Sequence, residues 1–146
     1  MDAKTLLRDT FVPFIVADKV SQYPMMLAAS SYSRKSSRLA SDNAYALRLQ
    51  TVAYFEIARA VSDPFRTTTD HTILGVAQMA LYEARLGNGP QCTSNSSALH
   101  RLLYSRGGLH TLGLGGLLSQ VIHWMDYAAA TMINNNDRPY DQTSTL

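Results

Sequence analysis

The sequence predicts an all-α fold: a single-domain bundle of about five to six helices in antiparallel hairpins. Apolar residues recur at spacings of three and four over successive segments, which is the period of an amphipathic helix. Short stretches containing glycine, proline or capping residues separate these segments. No segment alternates like a β-strand, and no hairpin turn joins two apolar runs. We therefore interpret residues 1–146 as one helical domain.

The amino-terminal third contains two predicted helices, each affected by a proline. The segment Thr5–Lys19 has apolar residues at helical spacing, but Pro13 predicts a kink or a division into two short turns. The segment Tyr23–Ala40 is expected to open around Pro24, because proline is at home in a first helical turn.

The middle of the chain carries the strongest helical patterns. The segment Asp42–Ser62 is expected to be capped by Ser41 or Asp42. The segment Asp70–Leu86 is apolar nearly all round, and a helix of that kind belongs in the middle of a bundle. Gly87 is expected to end it.

The last third is predicted to contain a loop, a short helix and a long helix. The loop is Asn88–Ser97, which has no periodicity; the short helix is Ser97–Arg106, ended by Gly107. The long helix is Leu114–Asn134, followed by a polar tail at 135–146. Its predicted apolar half contains Leu117, Leu118, Val121, Ile122, Trp124, Met125, Ala128, Ala129, Met132 and Ile133.

The low content of charged residues indicates what kind of partner the protein has. Hydrophobic residues make up 46% of the chain and charged residues 16%, against roughly 25% charged residues in typical soluble domains. A surface so poor in charge indicates a covering subunit or an apolar pocket. We therefore expect a homodimer, formed through the last helix or the two central ones. The net charge of +2 is spread along the chain, which does not favour binding to nucleic acid.

Cysteine usage and hydropathy bear on cofactors and location. The single cysteine excludes an internal disulfide and a multi-cysteine zinc site. The histidines of the carboxyl-terminal third show no i, i+4 spacing, and no glycine-rich phosphate loop is present, so neither a metal nor a cofactor is expected. No run reaches the roughly 20 apolar residues that span a bilayer, and no signal-peptide block is present. We expect an intracellular protein, nuclear or cytoplasmic, without membrane contact.

Several short motifs occur along the chain in a distinctive order. They read HRLL at 100–103, SRGGL at 105–109, LG at 112–113 and WMD at 124–126. Upstream of them lie ALRLQTVAYFEIARAVSDP at 46–64, DHTIL at 70–74 and LYE at 81–83. In this order and spacing they resemble the regulatory region of fungal-specific transcription factors, whose DNA-binding part is a binuclear zinc cluster. The resemblance covers roughly Met26–Tyr140, which is most of the chain.

The resemblance implies a helical regulatory domain that acts through protein partners or a bound small-molecule effector. Factors of that family carry six cysteines in a short amino-terminal cluster, whereas this sequence has one. The chain is therefore not expected to bind DNA directly. The missing cluster also keeps a second function open: a cofactor-free biosynthetic enzyme, a cyclase or isomerase, acting on a hydrophobic secondary metabolite.

Three residues near the glycine-rich corner are the catalytic candidates: Arg106, His123 and Asp126. A carboxylate at the edge of an apolar helix face needs a partner, so we predict a bidentate ion pair between Arg106 and Asp126 across the corner. Alternatively, His123 and Asp126, spaced i and i+3, form an acid/base pair. Arg106 also suits the negative end of its helix, which is a purely structural role.

Four further residues are candidates for binding a hydrophobic small molecule: Tyr82, Tyr104, Tyr127 and His100. A tyrosine-rich apolar cavity would enclose such a ligand and supply hydroxyl groups to orient it. The same tyrosines and the six methionines are also typical of a soft core without a ligand.

Overall fold

The all-α prediction is confirmed for the residues that the structure, a computed structural model, describes. These are residues 2–34 and 40–136, with side chains described for 2–31 and 44–135. The elements in chain order are α1 (Ala3–Leu6), a π-helical turn (Leu7–Phe11), α2 (Val12–Val16), α3 (Lys19–Arg34), α4 (Ala40–Ser62), α5 (Asp70–Arg85), α6 (Gly89–Arg106), two 3₁₀ turns (Leu109–Thr111 and Leu114–Gly116) and α7 (Leu117–Asn136).

Helix α5 lies at the centre of the bundle, as its apolar pattern predicts. Every residue from Thr72 to Ala84 is buried, and α3, α4, α6 and α7 all pack against it. Its start is capped by Thr69, whose hydroxyl accepts a hydrogen bond from the Thr72 amide. Gly87, at φ +76°, follows its end as predicted.

Pro13 interrupts the first helical run, as predicted, and the structure shows how the chain accommodates it. A π-helical turn over Leu7–Phe11 directly precedes α2, in which Pro13 occupies the first turn. Proline has no N–H to donate to the carbonyl four residues earlier, and a π-turn is a known way of absorbing such a break. The run then continues to Val16 with Phe11 and Ile15 buried in the main core.

The predicted start of α3 at Pro24 is wrong. The helix begins at Lys19, where the Asp18 carboxylate accepts a hydrogen bond from the Val20 amide, so Pro24 lies inside it. Inside a helix, proline cannot donate to the carbonyl four residues earlier and its ring crowds that carbonyl, here the one of Val20. The Val20 carbonyl lies against α5 at Gly75, where a Cβ atom would come within 2.3 Å of its oxygen. Gly75 therefore permits the close packing of α3 on α5.

Helix α4 ends at Ser62 as predicted but begins earlier than expected. It already includes Ser41 and Asp42, which were predicted to cap it. The helix packs mainly along α3 and less along α5, with Ala46, Leu49 and Ala53 buried.

The predicted loop Asn88–Ser97 is wrong, because it forms the first half of α6. Asn88 caps this helix through a hydrogen bond from the Gln91 amide (3.4 Å), and Pro90 occupies the first turn. The glycine, serine and asparagine residues that suggested a loop have weak helix propensity, but the buried side chains of Cys92, Asn95 and Leu99 are among those that pack this helix into the bundle. The helix stops at Gly107 (φ +111°), as predicted.

Helix α7 agrees with its prediction to within three residues at its start. Leu118, Ile122 and Ala129 are buried as expected. Trp124, however, was placed on the apolar half and is 55% exposed. On the helical wheel it lies at the edge of that half. Most of the predicted polar tail lies outside the described residues, and no helix within them is long and apolar enough to cross a membrane.

Gly75 is a direct test of the packing of α3 on α5. We expect Gly75→Ala to lower the free energy of unfolding by about 1–3 kcal/mol, because the added methyl group would overlap the Val20 carbonyl. Urea denaturation followed by helical circular dichroism measures this change.

The matched control is Gly89→Ala in the first turn of α6. A Cβ atom there meets only the Cδ1 atom of Ile133, at 3.9 Å, which is ordinary contact. Equal stability of the two variants would contradict the close approach at Gly75.

Candidate functional site

Arg106, the last residue of α6, ties together the ends of several elements. Its Nη1 atom donates to the carbonyl of Thr68 (2.9 Å), in the loop before α5. Its Nη2 atom donates to the carbonyl of Thr111 (2.8 Å), in the corner between α6 and α7. The guanidinium also forms an ion pair with Asp70, the first residue of α5.

Asp70 extends this arrangement to the glycine-rich corner. Its Oδ2 atom accepts a hydrogen bond from the Gly113 amide at 3.2 Å. A Cβ atom on Gly113 would lie 2.7 Å from the same oxygen, so a larger residue there would require the carboxylate to shift. The position of Asp70 in the first turn of α5 is also favourable for a negative charge. We name Asp70, Arg106 and Gly113 the corner tie.

The predicted ion pair between Arg106 and Asp126 is wrong. Arg106 is held by Asp70, and Asp126 instead contacts His100, whose Nε2 atom lies 2.9 Å from Asp126 Oδ2. The reason for the error is that Asp70 and Asp126 were both possible partners for Arg106. The packing of α6 on α5 places Asp70 next to the guanidinium, and residue spacing alone does not reveal this packing.

The catalytic candidates are thus separated into different environments. Arg106 serves the corner tie. Asp126 pairs across from α7 to α6 with His100, which was predicted only as a ligand-binding residue. His123 is exposed, and no hydrogen-bond or ion-pair partner for it exists among the described residues. The alternative acid/base pair of His123 and Asp126 is therefore not formed; a histidine–carboxylate pair able to hold or move a proton exists instead at His100 and Asp126.

The three tyrosines predicted to line a cavity do not lie together. Tyr82 is buried in the cluster between α3, α4 and α5. Tyr104 on α6 is 88% exposed and Tyr127 on α7 is 68% exposed. Tyrosines as exposed as Tyr104 and Tyr127 cannot line one enclosed pocket together with the buried Tyr82. Tyr104 and Tyr127 instead place large aromatic groups on the outer surface.

A buried polar network, which sequence reasoning did not predict, connects α4, α5 and α6. Glu83 of α5 is fully buried, and its Oε1 atom accepts hydrogen bonds from Gln50 (3.1 Å) and from the Tyr54 hydroxyl (2.9 Å). The Tyr54 oxygen accepts one from Asn95 (2.9 Å), which in turn accepts one from Gln91 (3.0 Å). We name these five residues the Glu83 network.

The network changes the electrostatics of its members. Burial raises the pKa of the Tyr54 hydroxyl above its ordinary value of 10.0; the hydrogen bond from Asn95 lowers this pKa, and the neighbouring Glu83 raises it. The second carboxylate oxygen of Glu83 is buried without a hydrogen-bond partner among the described residues. Burying a carboxylate oxygen without a hydrogen bond is unfavourable. The hydrogen bonds from Gln50 and Tyr54 to the first oxygen therefore provide the stabilisation of the buried Glu83 carboxylate.

Two features hid this network from sequence reasoning. Asn95 fell in the segment predicted as a loop, so its inward direction was not seen. Glu83 did leave a signal, because a carboxylate within a helix that is apolar nearly all round must find partners inside the protein.

Cys92, the single cysteine and a potential nucleophile, is a buried thiol on α6. Burial raises the pKa of Cys92 above its ordinary value, while a hydrogen bond with Ser96 lowers it. A raised pKa keeps the thiol protonated and weakly nucleophilic. Among the described residues, no group of three or more histidine, cysteine, aspartate or glutamate side chains is placed to hold a metal ion.

Comparison of the chain with protein-family models, with curated proteins and with solved structures gives no match.

The corner tie predicts a specific loss of stability. We expect Arg106→Ala to lower the free energy of unfolding by about 2–3 kcal/mol, because it removes two charge-assisted hydrogen bonds and leaves Asp70 without its cation. Arg106→Lys should recover less than half of this loss, since one ammonium group cannot span both carbonyls and the carboxylate. Urea denaturation measures both variants.

Arg101→Ala is the control, because Arg101 is an exposed arginine on the same helix. It should change stability by less than about 0.5 kcal/mol. An Arg106→Ala variant as stable as this control would exclude a structural role for the corner tie.

The Glu83 network predicts a pH dependence at alkaline pH. Because the pKa of Tyr54 is raised on folding, the unfolded chain releases this proton first. The stabilisation by Tyr54 is therefore complete below pH about 10 and is lost as the pH rises above that value. We expect the unfolding free energy of the wild type to fall more steeply above pH about 10 than that of Tyr54→Phe.

The comparison uses denaturation midpoints measured at a series of pH values. Tyr54→Phe should also cost about 1–3 kcal/mol at neutral pH, because Glu83 and Asn95 each lose a partner. Tyr104→Phe, at an exposed tyrosine, should follow the wild-type curve. Parallel curves for wild type and Tyr54→Phe would argue against the raised pKa.

Proposed function

We propose that this chain is a regulatory helical domain that works through protein contacts and forms a homodimer through α7. The observation that carries the proposal is an aromatic, uncharged surface on the outer side of that helix. A regulatory domain of this kind is what the resemblance to fungal transcription factors implies. It would act in the nucleus or cytoplasm without touching DNA itself.

The outer face of α7 has the composition of an interface. Trp124 is 55% exposed and Tyr127 is 68% exposed, and aromatic side chains of this kind dominate the binding energy of many interfaces. Asp126 is the one formally charged residue of α7, and it is turned towards His100 on α6. The exposed residues of the face are Gln120, His123, Trp124, Tyr127, Ala130, Thr131, Asn134 and Asn135.

This composition favours a second copy of the chain as the occupant. Two identical faces that meet across a two-fold axis must be compatible with themselves, and a face without formal charge brings no like charges together. Trp124 and Tyr127 lie near the middle of α7, so the same axis would place both aromatic pairs at the centre of the contact. Helix α5, one of the central helices considered for dimerisation, is buried from Thr72 to Ala84 and is not available.

A second candidate function is favoured by the pair of His100 and Asp126. A histidine 2.9 Å from a carboxylate can accept a proton, which is one requirement of a cofactor-free cyclase or isomerase acting on a hydrophobic metabolite. An activity that disappears in His100→Ala and persists when Trp124 is replaced would identify this candidate.

Sedimentation velocity at micromolar concentration tests the dimer. We expect the wild type to sediment as a dimer and the variant Trp124→Ala with Tyr127→Ala as a monomer, because central aromatic residues typically contribute about 2 kcal/mol or more each. Tyr104→Ala is the matched control: it removes an exposed tyrosine from α6 and should leave the dimer intact. A monomeric wild type would contradict the proposal.

A further inference from the structure

Helix α4 carries a second apolar stripe that faces away from the bundle. Its inner side packs on α3 and α5 through Ala46, Leu49 and Ala53. On the opposite side, exposed residues recur at spacings of three and four along the helix, which keeps them on one face. The members of this outer stripe are Ala44, Leu47, Thr51, Phe55, Ala58 and Ser62.

The outer stripe is unusually apolar for a surface. Leu47 is 64% exposed and Phe55 is 59% exposed. The Thr51 hydroxyl donates to the carbonyl of Leu47 (2.9 Å), so its polar atom is satisfied within the helix. A helix with apolar residues on both its inner and outer sides is typical of one that is covered on both sides.

Between residues 44 and 62, the exposed charged residues beside the stripe are both arginines. Arg48 and Arg59 are exposed and lie eleven residues apart, which is about three turns or 16 Å along the same flank. The guanidinium of Arg59 lies over the Phe55 ring at 5.7 Å and so borders the stripe directly. Between residues 44 and 62 the one acid is Glu56, which is buried beneath Arg59 at 3.6 Å.

We propose that the outer stripe of α4 binds an amphipathic helix of a partner protein that carries acidic residues beside its apolar face. Apolar side chains of the partner would cover Leu47 and Phe55, and two carboxylates about three turns apart would meet Arg48 and Arg59. The inference rests on the proposed role as a protein-interaction domain, and it assigns the partner to a different face from the α7 dimer.

The charges beside the outer stripe favour an acidic partner helix over a second copy of this chain. If two α4 helices paired in antiparallel fashion, the flanks bearing Arg48 and Arg59 would face each other with like charges. In a parallel pair, these arginines would meet the opposite flank, which carries no acid between residues 44 and 62. The segment 137–146 of the same chain is also unsuitable, because its sequence lacks apolar residues at helical spacing.

Fluorescence anisotropy with three labelled peptides of about 18 residues tests the inference, a length that spans about 27 Å of helix. One peptide has leucine at alternating spacings of three and four residues with glutamate on the flanks; the second has lysine in place of glutamate; the third is the glutamate peptide with its order scrambled. We expect the glutamate peptide to bind with the highest affinity.

The decisive comparison is a charge reversal on the protein. The variant Arg48→Glu with Arg59→Glu should weaken binding of the glutamate peptide about tenfold and strengthen binding of the lysine peptide. Leu47→Asp should abolish binding of both; its fold is checked by circular dichroism, since this side chain is exposed. Equal affinity for the glutamate and lysine peptides, no binding of either, or no effect of the reversal would overturn the inference.

The two interaction surfaces are separated by repeating the titration with the variant Trp124→Ala and Tyr127→Ala. Unchanged peptide binding by that variant supports the α4 surface even if the α7 dimer fails to form. If Leu47→Asp abolished the dimer, the outer stripe of α4 would be the surface that binds a second copy of the chain. That result would overturn the proposal of an acidic partner helix.

Discussion

The burial of α5 on every side is the constraint on which the rest of the structure depends. A helix surrounded by four others can place its ionisable groups only near its ends or within a network that satisfies them. Asp70 lies at its first residue and is satisfied by Arg106 and the Gly113 amide. Glu83 lies in its last turn, where one of its two oxygens accepts hydrogen bonds from Gln50 and Tyr54. These two carboxylates fix α4, α6 and the glycine-rich corner relative to the central helix.

The elements that could be predicted from the sequence are those whose signals are local. The stops at Gly87 and Gly107 and the all-round apolar pattern of α5 each depend on neighbouring residues, and each prediction is confirmed. The errors arise where distant contacts override local preference. Pro24 marks a helix start by local rules, yet it is tolerated inside α3.

The contacts of the candidate site residues also depend on packing between distant segments. Arg106 was expected to pair with Asp126 across the corner, but its partner depends on how α6 packs on α5, which residue spacing does not give. The exposure of Trp124 depends likewise on how far the neighbours of α7 extend around it. Glu83 lies within a helix that is apolar nearly all round, so its need for buried partners could be seen in the sequence, but the identity of those partners on α4 could not.

The first half of α6 has a consequence for the order in which the chain folds. Its residues, among them Gly89, Ser96 and Asn95, have little tendency to form a helix alone, and an isolated helix of this length is marginal even with better residues. It gains stability only when Cys92 and Leu99 are buried among the other helices. Helix α6 is thus expected to acquire its structure late, as a cooperative response to an assembled α5, rather than to nucleate the bundle. The Glu83 network, which needs Asn95 in place, would close at that same step.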